Sequence, residues 1–384
     1  MNPTFTMRSG GTASLALRAA VGVVLVALAI WIPTSAADPT IGYCLDAFTL
    51  MAAALSLNLL LGFTGQISIG HSAFFGIGAY VTAIFVHRWG WSPFATMPMA
   101  FAISFLVGVL VSLPALRIRG VYLALVTLAL GLVFPQILKW QKLQWLTGGT
   151  KGIDKAGFNF GKKNRTYSLF GWKPFGDMRA NGALPFYFWI GLGIVVIAYL
   201  VSRGIVKSRV GRSLVAIRDN ETAAAVMGVD IAVTKGLVFG ISAGLCALPG
   251  CLSAIRTNNV VPDSGFILVL GAIVFLIVMV IGGAGSLWGP IVGAVLYVFI
   301  GVKTSDWSKN TSKIPGIIRP FLSWSKIPVG DGIFAVLLIG LMFVAPFGIV
   351  GLCKRLAARV VRVVPKPAGA GELHLEPSVD GAVG

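Results

Sequence analysis

The residues of this chain that could do chemistry sit in glycine-rich stretches between apolar runs. The first stretch is Gly62-Phe63-Thr64-Gly65-Gln66-Ile67-Ser68-Ile69-Gly70-His71-Ser72, in which the Gln66 amide, the Ser68 hydroxyl and the His71 imidazole offer hydrogen bonds. The second is Gly282-Gly283-Ala284-Gly285-Ser286-Leu287-Trp288-Gly289-Pro290. Each glycine costs a helix about 1 kcal/mol relative to alanine, so both stretches predict backbone that leaves the helix. Freed backbone groups and scattered polar side chains suit loose, reversible contact with a polar solute rather than bond-breaking. Ser14, Ser56 and Ser104 have no neighbouring histidine or acid to activate them, and no pair of carboxylates is spaced for hydrolysis. Cys44, Cys246, Cys251 and Cys353 form no C-x-x-C pattern, and His71, His87 and His374 are far apart, so no metal site is expected. The phosphate-cradling pattern G-x-x-x-x-G-K-[ST] does not occur; Gly161-Lys162-Lys163 lacks both its spacing and its hydroxyl.

The elements that must position these groups follow from composition. Of 384 residues, 56% are hydrophobic and 11% charged. A soluble domain is about 25% charged, so a soluble globular enzyme is excluded. The excess of 31 Lys and Arg over 13 Asp and Glu lies between long apolar runs. Those cations therefore read as flanks of membrane spans rather than as a nucleic-acid surface. Apolar runs near 15–32, 43–61, 73–86, 94–113, 121–138, 186–201, 236–255, 266–281, 291–302 and 332–349 predict an all-α integral membrane protein of about ten transmembrane helices. Irregular backbone inside a bilayer is tolerated where it is buried in protein or lines a wet cavity. The two glycine stretches thus point to a transport path, as paired interrupted segments do. Close helix packing through small residues is the alternative, and Gly76 and Gly78 suit it.

Arg8 and Arg18 precede the first run, and Ser35-Ala36-Ala37 after it resembles a cleavage site; an uncleaved first helix is the favoured reading. Retention of positive charge in the cytoplasm puts Arg117 and Arg119, the segment from Arg203 to Lys235 and the tail from Lys354 to Lys366 inside, giving an N-in, C-in topology. Residues 1–352 then form the transmembrane domain and residues 353–384 a disordered cytoplasmic tail. Asp46, near one end of its run, reads as interfacial rather than as an ion-coupling carboxylate. The segment from Ser208 to Gly228 reads as an amphipathic helix with Leu214, Ile217, Ala224 and Met227 on one stripe. Such a helix lies on a membrane surface or enters a groove on a partner.

Four stretches, taken together, resemble a known family. They are Leu57-Asn58-Leu59-Leu60-Leu61-Gly62-Phe63-Thr64-Gly65-Gln66 continuing to Tyr80, Leu116-Arg117-Ile118-Arg119-Gly120-Val121-Tyr122, Leu146-Thr147-Gly148-Gly149-Thr150-Lys151-Gly152, and Val280-Ile281 running into the second glycine stretch. With the Gly211 to Gly228 segment they are similar, in the same order, to the permeases of bacterial ABC importers for branched-chain amino acids, specifically the longer of two paralogous subunits. The resemblance implies a ten-helix fold like that of type II ABC importers in the bacterial cytoplasmic membrane. It implies a path shared with the paralogous permease, two cytoplasmic ATPases that bind ATP and Mg, an external solute-binding protein, and no cofactor in this chain.

It also implies roles for particular residues. Gly62, Gly65, Gln66, Ser68, Gly70 and His71, with Gly282, Gly283, Gly285, Ser286, Trp288 and Gly289, would line or gate the path. Arg209, Arg212, Arg218, Glu221, Ala223, Ala224 and Gly228 would form the coupling helix that meets an ATPase. Thr222 departs from the family's Glu-Ala-Ala core, and the glycine lies one residue further on. Pro135 stands where the family carries a charged pair and removes a backbone donor from its helix. The basic stretch from Lys162 to Arg179 is expanded and is expected to help dock the binding protein. The implied function is a non-enzymatic translocation subunit for leucine, isoleucine and valine. Urea or a short amide is the alternative solute; an ATP-independent channel or ion-coupled carrier, and more remotely a membrane-embedded enzyme, are the alternatives of a different class.

Overall fold

The computed structural model describes residues 5–8, 31–33, 38–115, 121–154, 184–309, 339–340, 343 and 348–364. The chain divides into a unit of residues 31–352 and a unit formed by residues 1–30 with 353–384. In chain order the elements are β1 (Phe5–Arg8), α1 (Asp38–Thr64), α2 (His71–Trp89), α3 (Pro93–Ala115), α4 (Val121–Lys139) and β2 (Ile153–Asp154). They continue with α5 (Leu184–Lys207), α6 (Arg209–Asp219), α7 (Glu221–Val226), α8 (Ile231–Thr257) and β3 (Asn259–Val260). The last are α9 (Val269–Gly282), α10 (Gly289–Lys309), α11 (Gly348–Val360) and β4 (Val361–Val364).

The apolar runs near 43–61, 73–86, 94–113, 121–138, 186–201 and 236–255 fall within α1, α2, α3, α4, α5 and α8, and those near 266–281 and 291–302 correspond to α9 and α10. The first and last runs, the 353–384 tail beyond residue 364 and the basic 162–179 stretch lie wholly or largely outside the described residues. Among the described residues, five helices are long and apolar enough to cross a membrane: α1, α3, α4, α5 and α8. At 1.5 Å per residue the 27 residues of α1 reach about 40 Å, beyond a hydrocarbon core of about 30 Å. The described residues are mostly helical, as expected, with two short ribbons beside the helices: β2 pairs antiparallel with β3, and β1 pairs in parallel with β4.

Burial separates an inner pair of helices from an outer set. The apolar windows of α8 and α1 are 89% and 78% buried, against 22%, 28% and 33% for α3, α5 and α4. The sequence of α8 explains its place. Gly236, Gly240 and Gly244 recur every four residues and receive Ser112, Val109, Phe105 and Phe101 of α3 in the space their missing side chains leave. Ser104 of α3 adds a hydrogen bond to the Ala243 carbonyl at 2.9 Å. On another face, a Cβ at Gly78 of α2 would lie 2.0 Å from the Ala247 carbonyl oxygen, so α2 and α8 touch backbone to backbone. Lipid offers no hydrophobic drive for helix association, and this intimate van der Waals contact takes its place. Gly78 therefore serves packing, the role allowed for it from sequence.

One end of this bundle is knitted by polar contacts. Thr147 donates to the Leu138 carbonyl at 2.7 Å and accepts from the Gly149 N–H at 3.3 Å, closing the turn that leads into β2. Lys139 meets Asp263 at 2.7 Å, and Arg256, in the last turn of α8, meets Asp46 of α1 at 2.5 Å. Asp46 thus has a basic partner beside a helix end, in keeping with an interfacial position.

Candidate functional site

The two glycine stretches are breaks, and they touch. α1 stops at Thr64 and α2 starts at His71; α9 stops at Gly282 and α10 starts at Gly289. At the first break Gly65 adopts φ +71, a left-handed conformation open to glycine at little cost. Its N–H bonds the Leu61 carbonyl and that of Gln66 bonds Leu60, both at 3.2 Å, so two carbonyls at the end of α1 are met by the chain that follows. At the second break Gly285 has φ +76, and its N–H donates to Asn58 Oδ1 at 2.9 Å. Asn58 Nδ2 donates to the Ser286 carbonyl at 3.0 Å. One fully buried amide in α1 therefore satisfies a donor and an acceptor of the other break. The approach is so close that a Cβ at Gly62 would lie 2.1 Å from Asn58 Oδ1 and 2.5 Å from the Gly285 nitrogen.

A third element reaches the same point. Arg218 of α6 donates from Nη1 to the Gly62 carbonyl at 3.1 Å, while its Cγ would lie 3.1 Å from a Cβ at Gly65. A Cβ at Gly285 would lie 3.8 Å from the same Nη1. The final turn of α1 has no basic residue of its own, so Arg218 brings positive charge to the negative end of that helix.

The polar side chains of the first break are held inside the bundle. His71 is fully buried; its Nδ1 lies 2.8 Å from Ser68 Oγ and its Nε2 lies 2.9 Å from Ser242 Oγ on α8. Ser242 Oγ donates to the Ser56 carbonyl at 2.5 Å. With that hydroxyl proton used, Nε2 is the donor to Ser242, and Nδ1 of a neutral ring accepts from Ser68. The relay joins α1, the break, α2 and α8. Ile69 N–H adds α4 by bonding Thr127 Oγ1 at 3.1 Å, and a Cβ at Gly70 would lie 2.0 Å from the Thr127 carbonyl oxygen. Gln66, by contrast, is only partly buried.

At the second break, Gly282 and Gly289 bring α9 and α10 into backbone contact: a Cβ at Gly282 would lie 1.7 Å from the Gly289 carbonyl oxygen. Gly283 is buried at φ +115, and Trp288 is half exposed with its ring 5.5 Å from that of Tyr199 on α5. The predicted path residues thus separate into a junction (Gly62, Gly65, Gly285, Ser286), a buried relay (Ser68, His71), close-packing positions (Gly70, Gly282, Gly283, Gly289) and two partly open side chains (Gln66, Trp288). Sequence reading missed Asn58, Ser242, Ser56 and Thr127 as site residues. Asn58 carried a signal, being a lone amide in the apolar run 43–61.

The amphipathic segment is corrected from one helix to two. Asn220 is extended at φ −157, and its Oδ1 accepts the Ala223 N–H at 3.0 Å, capping α7 instead of continuing α6. Leu214, Ile217 and Ala224 are buried as the stripe predicts, but Met227, beyond the end of α7, is 84% exposed beside an 82% exposed Val226. Arg209 and Arg212 are exposed, and Gly228 (φ +83) stands in open space.

Residues 40–346 match the family model described as branched-chain amino acid transport system / permease component. The chain belongs to this permease family. It is 31% identical over 287 residues to the high-affinity branched-chain amino acid transport system permease protein LivM of Escherichia coli K12, covering 72% of this chain and 66% of that one. The Salmonella typhimurium LivM is 32% identical over 255 residues, 64% of this chain and 58% of the relative. The chain therefore spans less than two thirds of the length of these curated relatives. A shorter match, 31% over 137 residues, covers 34% of this chain and 40% of the ribose import permease protein RbsC of Escherichia coli K12. No solved structure matches the chain. Like other permeases of the family, it is a multi-pass membrane protein. In this permease Glu221 is partly buried and paired with Lys235 of α8 at 2.9 Å, so the Glu-Thr-Ala-Ala turn is anchored to the bundle while Thr222, Ala223 and Ala225 stay exposed.

Proposed function

We propose that this chain is the translocation subunit of an ATP-driven importer of branched-chain amino acids in the bacterial cytoplasmic membrane. It has about ten spans with both ends inside, and it shares its path with a paralogous permease. Two cytoplasmic ATPases bind ATP and Mg and supply the energy, an external solute-binding protein delivers the solute, and this chain performs no hydrolysis. The observation that carries the reading is the meeting of two broken segments with each other and with Arg218 of a surface helix. Backbone freed at such breaks can replace water around a zwitterion without holding it tightly. Gly62, Gly65, Gln66, Ser68, Gly70 and His71, with Gly282, Gly283, Gly285, Ser286, Trp288 and Gly289, line or gate the path in this reading. Arg209, Arg212, Arg218, Glu221, Ala223, Ala224 and Gly228 belong to the ATPase-coupling segment, with Ala224 seating it on the bundle and Glu221 tying it to Lys235, and the exposed Val226 and Met227 supply an apolar tip for a partner groove. The relatives named LivM support the solute class.

The parallel pairing of β1 with β4 supports a common side for the two ends of the chain. Hydrogen-bonded strands lie about 4.8 Å apart, and a hydrocarbon core of about 30 Å cannot separate them. The test is capture in native membranes through a cysteine at the exposed Ala225, in a background lacking Cys44, Cys246, Cys251 and Cys353. Mass spectrometry is expected to find an ABC ATPase, and leucine uptake to exceed urea uptake. A loop that is accessible from the cytoplasm yet never captures an ATPase would favour the channel or ion-coupled carrier.

A further inference from the structure

We propose that Arg218 is the positioning residue through which movement of α6 reaches both broken segments; the inference rests on the importer reading above. Three observations meet at this guanidinium. Its Nη1 holds the Gly62 carbonyl at 3.1 Å. Its aliphatic stem closes over Gly65, and the same Nη1 borders Gly285, whose N–H is bound by Asn58. Its remaining nitrogens Nε and Nη2 donate to Asp219 Oδ1 at 3.2 and 3.1 Å, which fixes the plane of the group. A planar fork with several donors can serve a carbonyl and a carboxylate at once, and lysine's single ammonium cannot reproduce that geometry.

The direction of the coupling follows from how each break is held. The first break is anchored on several sides, by Leu60 and Leu61 behind it, by Thr127 of α4 at Ile69 and by Ser242 of α8 at His71. The second break closes its ends on Met279 and Ser286, but its Gly285 N–H is bound by Asn58, one turn before Gly62 on α1. A pull on the Gly62 carbonyl therefore acts on the turn that carries the Asn58 clamp, and the Gly285 loop moves with it. α6 and α7 are joined through the extended Asn220, and α7 ends in the exposed Val226 and Met227. A partner that displaces this tip displaces α6, and Arg218 is the part of α6 that bonds the break region.

The experiment uses the assembled importer with Ala284→Cys as a reporter, since Ala284 is the exposed residue of the second break next to Gly285. Cys353 and Cys44 are replaced, and the buried Cys246 and Cys251 remain. The rate at which a thiol reagent labels position 284 is measured with and without ATP and vanadate. With Arg218 present, nucleotide is expected to change the rate by about tenfold, within the usual range of coupling between sites. In Arg218→Gln the difference collapses to less than about twofold, and Arg218→Lys retains part of it. A residue that only stabilised the bundle would change yield or thermal unfolding and leave the nucleotide dependence intact. A full nucleotide response in Arg218→Gln overturns the proposal. If that variant does not assemble, Asp219→Asn decides: a response about two- to fivefold smaller supports it, in keeping with an exposed orienting pair, and an unchanged response overturns it. Failure of the importer reading is seen earlier, as purified wild-type protein that carries no ATPase, and it removes both claims.

Discussion

The two breaks are built on different logic. The first is tied on several sides: the end of α1 turns back on Leu60 and Leu61, Arg218 of α6 bonds the Gly62 carbonyl, Ile69 bonds Thr127 of α4 and His71 meets Ser242 of α8. The second closes its ends locally, Gly283 N–H on the Met279 carbonyl and Gly289 N–H on the Ser286 carbonyl, while its middle is held by one amide of α1 that serves the Gly285 N–H and shares the Ser286 carbonyl. A break tied to three other helices keeps its form when one of them shifts. A break whose middle depends on a single side chain changes when the helix carrying that side chain moves, because losing it strips the Gly285 N–H of its partner. The difference suggests a division of labour in which the first break is the frame and the second the moving part.

The largest effect is expected where the two meet. Gly62→Ala puts a methyl group onto Asn58 Oδ1 and the Gly285 nitrogen, and neither has room to yield while the clamp is kept. Overpacking with loss of the clamp costs about 3–5 kcal/mol, and leucine uptake into membrane vesicles should fall to background. Retained uptake would mean that the two segments do not need to touch. Asn58→Leu keeps volume but strips both bonds from the second break, at about 2–4 kcal/mol, read as a lower thermal midpoint in detergent. If the comparison is right, Asn58→Leu should speed thiol labelling of a cysteine placed at Ala284 and leave that of a cysteine placed at Ser68 unchanged. Ser68→Ala is expected to do least, about 1 kcal/mol, because it removes one donor from a relay whose other end, through Ser242 and Ser56, stays closed. A larger loss for Ser68→Ala than for Asn58→Leu would reverse the assignment of frame and moving part.

How much was legible beforehand varied with the range of the forces involved. The places of both breaks could be read because glycine acts locally, through its own backbone cost, and Gly65 and Gly285 do lie at positive φ. The stripe of Leu214, Ile217 and Ala224 was readable for the same reason, as three buried positions at helical spacing. The end of that stripe was misread: Asn220 looked like one polar residue on a helix, and only its side-chain bond to the Ala223 N–H shows that it stops one helix and starts another. Asn58 was visible as an oddity within an apolar run and was not recognised as a clamp.

The sequence by itself determined that the chain is a membrane protein, where its apolar runs lie, where two of them are interrupted and, through its motifs, which family it belongs to. Those properties come from composition and from residues adjacent in the chain. Only the tertiary structure decided that Asn58 serves a loop 228 residues away and that Arg218 serves a carbonyl 156 residues away. Bonds of that kind depend on which helix faces cross at which depth. That is set by close packing among α1, α2 and α8, and no local pattern encodes the partner.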